Sequence, residues 1–206
     1  MSGTFPTSPS YTATNFKINN PAQTSETFNG KIRRVGLGVS YYSFTIKFPP
    51  MPRTQAGPII GFLGAQYGVM ENFQILLPQE SYPQANYSFG APYIPTITAN
   101  AAVGAKQVSI GGCVGLATIL KAGDYFKFSN HTKVYMCTSD CVANELGAAT
   151  LYFSGSLMVA VTNIVTLTVK AVPFTVMLAS DVQEYEVGVE RMYNLQLDMR
   201  EDIKPL

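Results

Sequence analysis

One stretch, residues 41–78, restricts the fold of this chain more than any other part of it. It reads YYSFTIKFPPMPRTQAGPIIGFLGAQYGVMENFQILLP. Apolar and polar side chains alternate from Tyr42 to Phe48, and this period of two is typical of a strand with one buried face. Pro49 and Pro50 end the strand, because proline has no amide hydrogen to donate to a sheet.

A helix is predicted after the two prolines. Apolar residues recur at helical spacing from Ile59 onward, so that one stripe faces the interior. Thr54 is placed to cap the helix and Gly68 to end it, which predicts a helix over Thr54–Tyr67. The stretch closes with a second alternating strand, whose apolar residues are Phe73, Ile75 and Leu77. Strand, helix and strand form one packing unit in which no residue looks catalytic.

The composition indicates a protein that assembles. Charged residues are 13% of the 206 residues and hydrophobic residues are 47%, and surfaces that meet in subunit interfaces are depleted in charge. The net charge of +1 gives no electrostatic footprint for gripping nucleic acid, although a protein that only surrounds DNA needs none. No apolar run approaches the roughly 18 residues of a membrane helix.

Residues 1–16, MSGTFPTSPSYTATNF, form an arm rich in Ser, Thr and Pro. The arm has neither a basic n-region nor an apolar h-region, so we expect no secretory signal. Two interpretations are open for it, a disordered terminus or an extended arm that orders against a neighbouring subunit.

The next residues predict short strands. Phe16 and Ile18 indicate the first, and Thr27–Val35 indicates another. The second strand carries a basic cluster formed by Lys31, Arg33 and Arg34. These charges could meet an acidic partner, but a solvated strand face is the more common explanation of such a cluster.

The middle of the chain, residues 96–173, has short strands bounded by glycine and turn residues. The clearest signal is a hairpin in which Tyr125–Phe128 and Lys133–Cys137 flank the turn Ser129–Thr132. Further predicted strands are Val108–Ile110, Thr150–Phe153 and Ile164–Val169. Many short strands with turn signals predict a small closed β-barrel.

The end of the chain returns to strict alternation. Its apolar runs begin at Phe174, Tyr185 and Tyr193, and each predicts a strand with one buried and one polar face. These strands match residues 1–95 in character. We therefore expect them to complete the sheet begun by the first part, with residues 96–173 inserted between, since loop-closure entropy grows only logarithmically with length.

The candidate catalytic and metal-binding residues do not form a site. His131, the only histidine, is placed in a predicted hairpin turn, where a solvated residue is more common than a general base. Asp124 follows Gly123 in a turn that favours aspartate for backbone reasons. An acidic cluster near the end could ligate a metal, but is more often a solvated strand end; it consists of Asp198, Glu201 and Asp202.

The cysteines and glycine-rich runs add no chemistry. The three cysteines, Cys113, Cys137 and Cys141, are odd in number, which is typical of free thiols in a reducing compartment, and they lack a fourth zinc ligand. Neither residues 35–38 nor residues 111–112 have the sequence of a phosphate-binding loop. We therefore predict no catalytic residue, no cofactor and no metal, and a protein that is not an enzyme.

Three segments resemble tail proteins of bacteriophages. In residues 41–78, a strand ending in two prolines precedes a helix, a glycine and an F-x-x-x-x-P strand. Residues 120–140, LKAGDYFKFSNHTKVYMCTSD, are similar to the inserted small β-barrel of such proteins. Residues 193–203, YNLQLDMREDI, resemble their last strand. Family members often have PPL late in the barrel, where this chain has Gly155-Ser156-Leu157.

The resemblance implies a distal-tail or baseplate structural subunit that forms a ring around the channel through which the genome passes. We therefore expect a mainly β protein: a tube-like β-sandwich or barrel with one flanking α-helix, from residues 1–95 and 174–206, and an inserted small β-barrel from residues 96–173. The partners would be other copies of itself and neighbouring tail tube, hub or baseplate proteins, in the virion. DNA would pass through without specific binding, and no membrane is involved.

Two functions of other classes stay open. The first is a carbohydrate-binding module of a tail fibre or receptor-binding apparatus, which needs exposed aromatic side chains beside polar groups. The second is an enzyme such as a glycan hydrolase, which needs two carboxylates about 5–10 Å apart in a cleft. For the ring, we expect the N-terminal arm and the segment Pro83–Pro95 to bridge neighbouring subunits.

Overall fold

The computed structural model describes residues 3–36, 40–87, 94–188 and 190–204, and within these ranges the protein is mainly β with one α-helix. The first part contains β1 (Ala13–Asn19), β2 (Ala22–Glu26), β3 (Ile32–Gly36), β4 (Tyr41–Lys47), α1 (Arg53–Gly64) and β5 (Phe73–Ile75). No helix in the described ranges has the length and apolar character needed to span a membrane.

The middle part contains eight short strands. They are β6 (Thr96–Ile97), β7 (Gln107–Gly111), β8 (Thr118–Leu120), β9 (Tyr125–Phe128), β10 (Val134–Met136), β11 (Cys141–Val142), β12 (Ala149–Tyr152) and β13 (Leu167–Thr168). The last part contains β14 (Phe174–Leu178), β15 (Tyr185–Val187) and β16 (Tyr193–Glu201).

The largest sheet joins the two ends of the chain. Its order is β1-β4-β16-β14-β5, β15 pairs with β16, and every pairing is antiparallel. Leu197 of β16 lies opposite Ile46 of β4, and Met199 lies opposite Leu178 of β14. The last strands therefore complete the sheet begun by the first part, as the alternation predicts.

The alternation also predicts correctly which side chains of this sheet are buried in the core. The inward side chains are buried on β4, β14 and β16, and they include Phe44, Val176 and Leu197. Ala56, Ile59 and Leu63 of α1 are buried in the same cluster. Full burial of a Val, Leu, Ile or Phe side chain stabilises the fold by roughly 1.5–3 kcal/mol.

A second hydrophobic cluster is formed within residues 97–169. It is built on three small sheets, with orders β10-β9-β13, β11-β8 and β12-β7-β6. Tyr125 and Val134 belong instead to the first cluster, and the ring centroids of Tyr125 and Phe174 are 5.6 Å apart. The domain boundaries near residues 95 and 174 stay a prediction, which this division of the cores supports.

The helix is shorter than predicted. It starts at Arg53 rather than Thr54, with extended Pro52 at the cap position and no side-chain capping bond, so Thr54 comes too late in the chain to cap it. It ends at Gly64 rather than Tyr67. Tyr67 and Gly68 both have left-handed φ angles of 51° and 67°, which a right-handed helix cannot accommodate.

The region predicted as one strand over Thr27–Val35 is instead the turn and second strand of a hairpin, whose first strand is β2. The Thr27 N–H donates to the Lys31 carbonyl at 2.9 Å and the Gly30 N–H to the Thr27 carbonyl at 2.8 Å, which closes a turn between β2 and β3. Gly30 has a φ of 72°, a conformation that favours glycine. Strand β2 was not predicted, because its sequence, AQTSE, has no alternation of apolar and polar residues.

The N-terminal arm is ordered on this chain's own core from Gly3 onward, so the expectation of a disordered terminus is wrong there. Phe5 is buried against Phe62 and Phe73, with ring centroids 5.4 and 5.9 Å away. The Phe5 N–H donates to the Gln74 carbonyl at 2.7 Å. Phe5 is thus occupied within its own subunit and is not free to reach a neighbour.

Two other strand predictions need correction. Within Ile164–Val169 only Leu167–Thr168 form a strand, since Ile164 lies exposed in a turn. Strand β15 was expected to have one buried face, but all three of its residues are exposed. The predicted hairpin of β9 and β10 is confirmed, with Tyr135 opposite Phe126. Residues 37–39 of the glycine-rich run and 88–93 of the expected bridging segment lie outside the described ranges.

Candidate functional site

A buried ion pair lies where the two hydrophobic clusters meet. Lys133 Nζ is 3.2 Å from Glu201 Oε2, and neither side chain has any exposed surface. Lys133 immediately precedes β10 in the middle part, whereas Glu201 ends β16 of the largest sheet. The pair therefore connects the two parts of the chain.

Both charges of the pair have further partners. Glu201 Oε1 accepts the Val134 N–H at 2.7 Å, and Oε2 accepts the Tyr42 N–H at 3.1 Å. Lys133 Nζ donates to the Val134 carbonyl at 3.0 Å and lies 4.7 Å from the centroid of the Tyr42 ring. A buried charge is tolerated only with this kind of compensation.

Burial works against the charged form of each partner. It raises the pKa of Glu201, while the Lys133 ammonium and the two backbone N–H donors oppose that rise. It lowers the pKa of Lys133, while the Glu201 carboxylate opposes that fall. Each charge thus depends on the other to stay ionised.

The predicted acidic cluster is not one cluster. Glu201 points inward because it continues the buried series Leu195, Leu197 and Met199, whereas Asp198 lies on the exposed face and accepts the Thr45 hydroxyl. The expectation of a solvated strand end is therefore wrong for Glu201, and period-two counting could have found this.

Asp202 is also buried and held by side chains of its own subunit. Its carboxylate accepts Asn72 Nδ2 at 2.6 Å and lies 2.9 Å from Lys204 Nζ. Its backbone carbonyl accepts the Thr132 hydroxyl at 2.7 Å, which ties the end of the chain to the middle part. In the ranges the structure describes, no group of three His, Cys, Asp or Glu side chains is arranged to hold a metal ion.

His131 is buried, so the expectation of a solvated turn residue is wrong. Its Nε2 lies 2.8 Å from the Tyr135 hydroxyl, and its Nδ1 lies 2.7 Å from Asn130 Oδ1. The Met158 N–H donates to the Tyr135 oxygen at 3.0 Å, so the hydroxyl proton is available for Nε2. Nδ1 then carries the ring proton and donates it to Asn130.

The electrostatic surroundings keep His131 neutral. Burial, together with the charges of Lys127 and Lys133, lowers the pKa of its imidazole to about 4. Both ring nitrogens are engaged within the protein, and neither faces a carboxylate or a nucleophile. The arrangement suits a structural role in the second cluster, where the Phe128 ring packs 5.7 Å from the imidazole.

Asp124 and the cysteines occupy structural positions. Asp124 accepts the Lys121 N–H at 2.8 Å and the Gln84 N–H at 2.9 Å, in line with the turn role predicted for it. The three cysteines are free and buried. Burial raises the pKa of Cys137 to about 11 and that of Cys141 to about 12, so both thiols stay protonated at neutral pH.

Two exposed features of opposite charge stand out on the surface. In the β2–β3 hairpin, residues 22–36, every residue except the half-buried Thr27 is exposed. The hairpin carries the cations Lys31, Arg33 and Arg34. The acidic edge, residues 181–188 and 190, carries four carboxylates and no basic residue. An open groove of about 390 Å³ runs beside the acidic edge; its lining includes Glu184, Glu186 and Gln196.

Comparison with known proteins identifies no relative, since no family model matches this chain and no curated protein matches its sequence.

Proposed function

We propose that this chain is a structural subunit of a virion tail or baseplate and that it assembles with copies of itself into a ring around a DNA channel. In this proposal residues 1–95 and 174–206 form a tube-like β-sandwich, and residues 96–173 form an inserted small β-barrel. Neighbouring tube, hub or baseplate proteins would bind the faces of the ring.

The observation that carries the proposal is the exposed β2–β3 hairpin. Phe28 at its turn is fully exposed, and Ile32 and Val35 on β3 are 57% and 61% exposed. A two-stranded hairpin without other support is at best marginally stable in water. A ribbon with exposed apolar residues fits a subunit whose neighbour covers it.

The charge distribution agrees with a conduit. The net charge is +1 and only 13% of residues are charged, which suits a protein that surrounds DNA without binding it tightly. The alternating strands also give the largest sheet a polar outer face, including Thr45, Gln196 and Asp198.

The buried groups have structural roles under this proposal. The Lys133–Glu201 pair would fix the inserted part on the sandwich. For the glycan hydrolase hypothesis the sequence offers no obvious carboxylate pair outside Asp198–Asp202. Within this range, Asp198 and Glu201 lie on opposite faces of β16, and the Asp202 carboxylate binds Asn72 and Lys204. This placement favours the structural function over the enzyme.

Negative-stain electron microscopy of the purified chain tests the proposal. We expect closed rings of uniform diameter with a central opening. Fields that contain only compact single subunits, at all protein concentrations and salt conditions tried, would contradict it.

A carbohydrate-binding module remains the second candidate, and one observation favours it. Tyr82 is partly exposed in a cleft of about 190 Å³ that also includes the polar residues Gln79, Glu80 and Gln84. An aromatic ring beside polar groups is suited to stacking on a sugar. Binding on a glycan array that is lost in Tyr82→Ala would support this function; an array without signal would count against it.

A further inference from the structure

The β2–β3 hairpin has an unpaired backbone edge. Strand β3 pairs with β2 along one side, and no other described strand pairs with it. Within the described ranges, no hydrogen bond or ion pair joins the hairpin side chains to another element. The free N–H and C=O groups of β3 are therefore available to add to another sheet.

Side chains along this edge follow a simple order. Lys31 and Arg33 point to one face of the ribbon together with Val35, while Ile32 and Arg34 point to the other. One face of the edge is thus mainly basic, and the other combines an aliphatic group with a cation.

Strand β15 is a matching edge elsewhere on the same chain. It pairs with β16 on one side, and its other side has no partner strand in the described ranges. Tyr185 and Val187 share one face and are 51% and 49% exposed. Glu184 and Glu186 share the opposite face and have no ion-pair partner among the described residues.

The two edges are complementary at the same spacing. Lys31 and Arg33, two residues apart at the start of β3, match Glu184 and Glu186, two residues apart at the start of β15. Ile32, between the cations, points to the opposite face, as Tyr185 does between the carboxylates. Pairing the edges would therefore place opposite charges together on one face and apolar side chains together on the other.

We propose that β3 of one copy adds to the free edge of β15 in a second copy, with Lys31 and Arg33 against Glu184 and Glu186 and with Ile32 against Tyr185 and Val187. The inference rests on the proposed ring function, which it deepens by naming the contact between subunits.

A second copy is the occupant that the charges favour. The cations and carboxylates belong to one chain whose net charge is only +1, so a head-to-tail contact neutralises both edges at once. Every copy would contribute one hairpin and one acidic edge. Contacts between two different patches produce a ring when the rotation closes.

Charge reversal tests this contact. We expect Lys31→Glu/Arg33→Glu, and separately Glu184→Lys/Glu186→Lys, each to weaken self-association measured by sedimentation by at least about tenfold. The variant with all four changes restores opposite charges across the contact, so we expect its self-association to recover to within about threefold of the unchanged protein.

The matched control is Lys106→Glu/Lys170→Glu, which makes the same change in net charge as Lys31→Glu/Arg33→Glu but at exposed positions of the middle part. We expect it to associate like the unchanged protein. Near-ultraviolet circular dichroism of each variant confirms that the fold is retained, which we expect because all four substituted side chains are exposed.

The outcomes separate the contact from the function. If the unchanged protein assembles and both reversed pairs assemble equally well, the β3–β15 contact is overturned while the ring function stands. If all four changes together assemble no better than either pair alone, the contact is also overturned. A monomer at every concentration overturns both proposals.

Discussion

Glu201 accepts bonds from groups that belong to both parts of the chain. Lys133 and Val134 come from the middle part, and Tyr42 comes from the largest sheet. A buried ion pair contributes little net stability compared with an apolar pair of the same shape. Removing only one partner is costly, however, because the other is left as an uncompensated buried charge.

The pair therefore predicts a specific double-mutant cycle. We expect Lys133→Met to lower the free energy of unfolding by about 3–5 kcal/mol, and Glu201→Gln to lower it by a similar amount. The double variant should lose at least about 1 kcal/mol less than the sum of the two single variants. Urea unfolding at pH 7 measures all four proteins. Additive losses would show that the two side chains do not interact.

His131 gives a prediction that a single NMR resonance can check. The chain has one histidine, so its imidazole C–H signal is unambiguous. We expect this signal to stay unchanged from pH 8 to pH 5.5 and to titrate with a midpoint near 4, because burial and the cations Lys127 and Lys133 disfavour the protonated ring. A midpoint near 6.5 would mean that the ring is solvated.

The lowered pKa of His131 also makes the free energy of unfolding depend on pH. The pKa of His131 is lower in the folded protein than in the unfolded chain, so the unfolded chain binds a proton first as the pH falls. The stabilisation is complete above pH 6.5 and is lost between pH 6.5 and 4, by up to about 3 kcal/mol. Urea unfolding at pH 7.0 and 5.0 should show a decrease that is much smaller in His131→Gln.

The sequence of helix α1 has a low intrinsic propensity to form a helix. Three of its twelve residues are glycine, and Pro58 lies inside it. Glycine in a helix lowers stability by roughly 0.5–1 kcal/mol relative to alanine. Its burial of Ala56, Ile59 and Leu63 in the first cluster explains why it forms nonetheless.

Substitution of these glycines gives the prediction for this element. A Cβ at Gly61 or Gly64 would meet no atom within 4 Å outside the chain neighbours of each glycine, so we expect Gly61→Ala and Gly64→Ala each to raise the free energy of unfolding by about 0.5–1 kcal/mol. The matched control is Gly147→Ala. Its φ is 74° and its Cβ would lie 2.3 Å from the Cys113 carbonyl oxygen, so we expect clear destabilisation. Chemical denaturation of the three variants measures these changes in the free energy of unfolding. Equal changes at all three sites would contradict the prediction.

Alternation in the sequence predicted the strands that have one buried face, but it did not indicate β2. Strands β4, β14 and β16 follow the rule because one face of each lies on the first cluster. Strand β2 is exposed on both faces and its sequence has no alternation, whereas β15 alternates and forms a strand although all three of its residues are exposed. Their form depends on partners in the sheet and, in our proposal, on a neighbouring subunit.

The contact between the middle part of the chain and the largest sheet could not be predicted from the spacing of residues in the sequence. Lys133 and Glu201 are 68 positions apart, and alternation shows only which side of a strand a residue occupies. Which inward residues meet depends on how the middle part lies against the largest sheet. The sequence could indicate that Glu201 faces inward, but not that Lys133 meets it there.

At the scale of the whole molecule, we propose that this chain is one unit of a closed assembly. Two hydrophobic clusters hold the subunit together, and the Lys133–Glu201 pair connects them. In our proposal, the exposed hairpin and the acidic edge are left for contacts with other copies. The mainly β class follows from the sequence, whereas the proposed assembly depends on features that only the three-dimensional arrangement brings together.

Native mass spectrometry of the purified chain tests the assembly most directly. For a closed ring we expect one dominant species, whose mass is a fixed integer multiple of the chain mass and does not change when the protein concentration is varied. A spectrum of monomers alone, or a ladder of oligomers that lengthens with concentration, would contradict a closed ring.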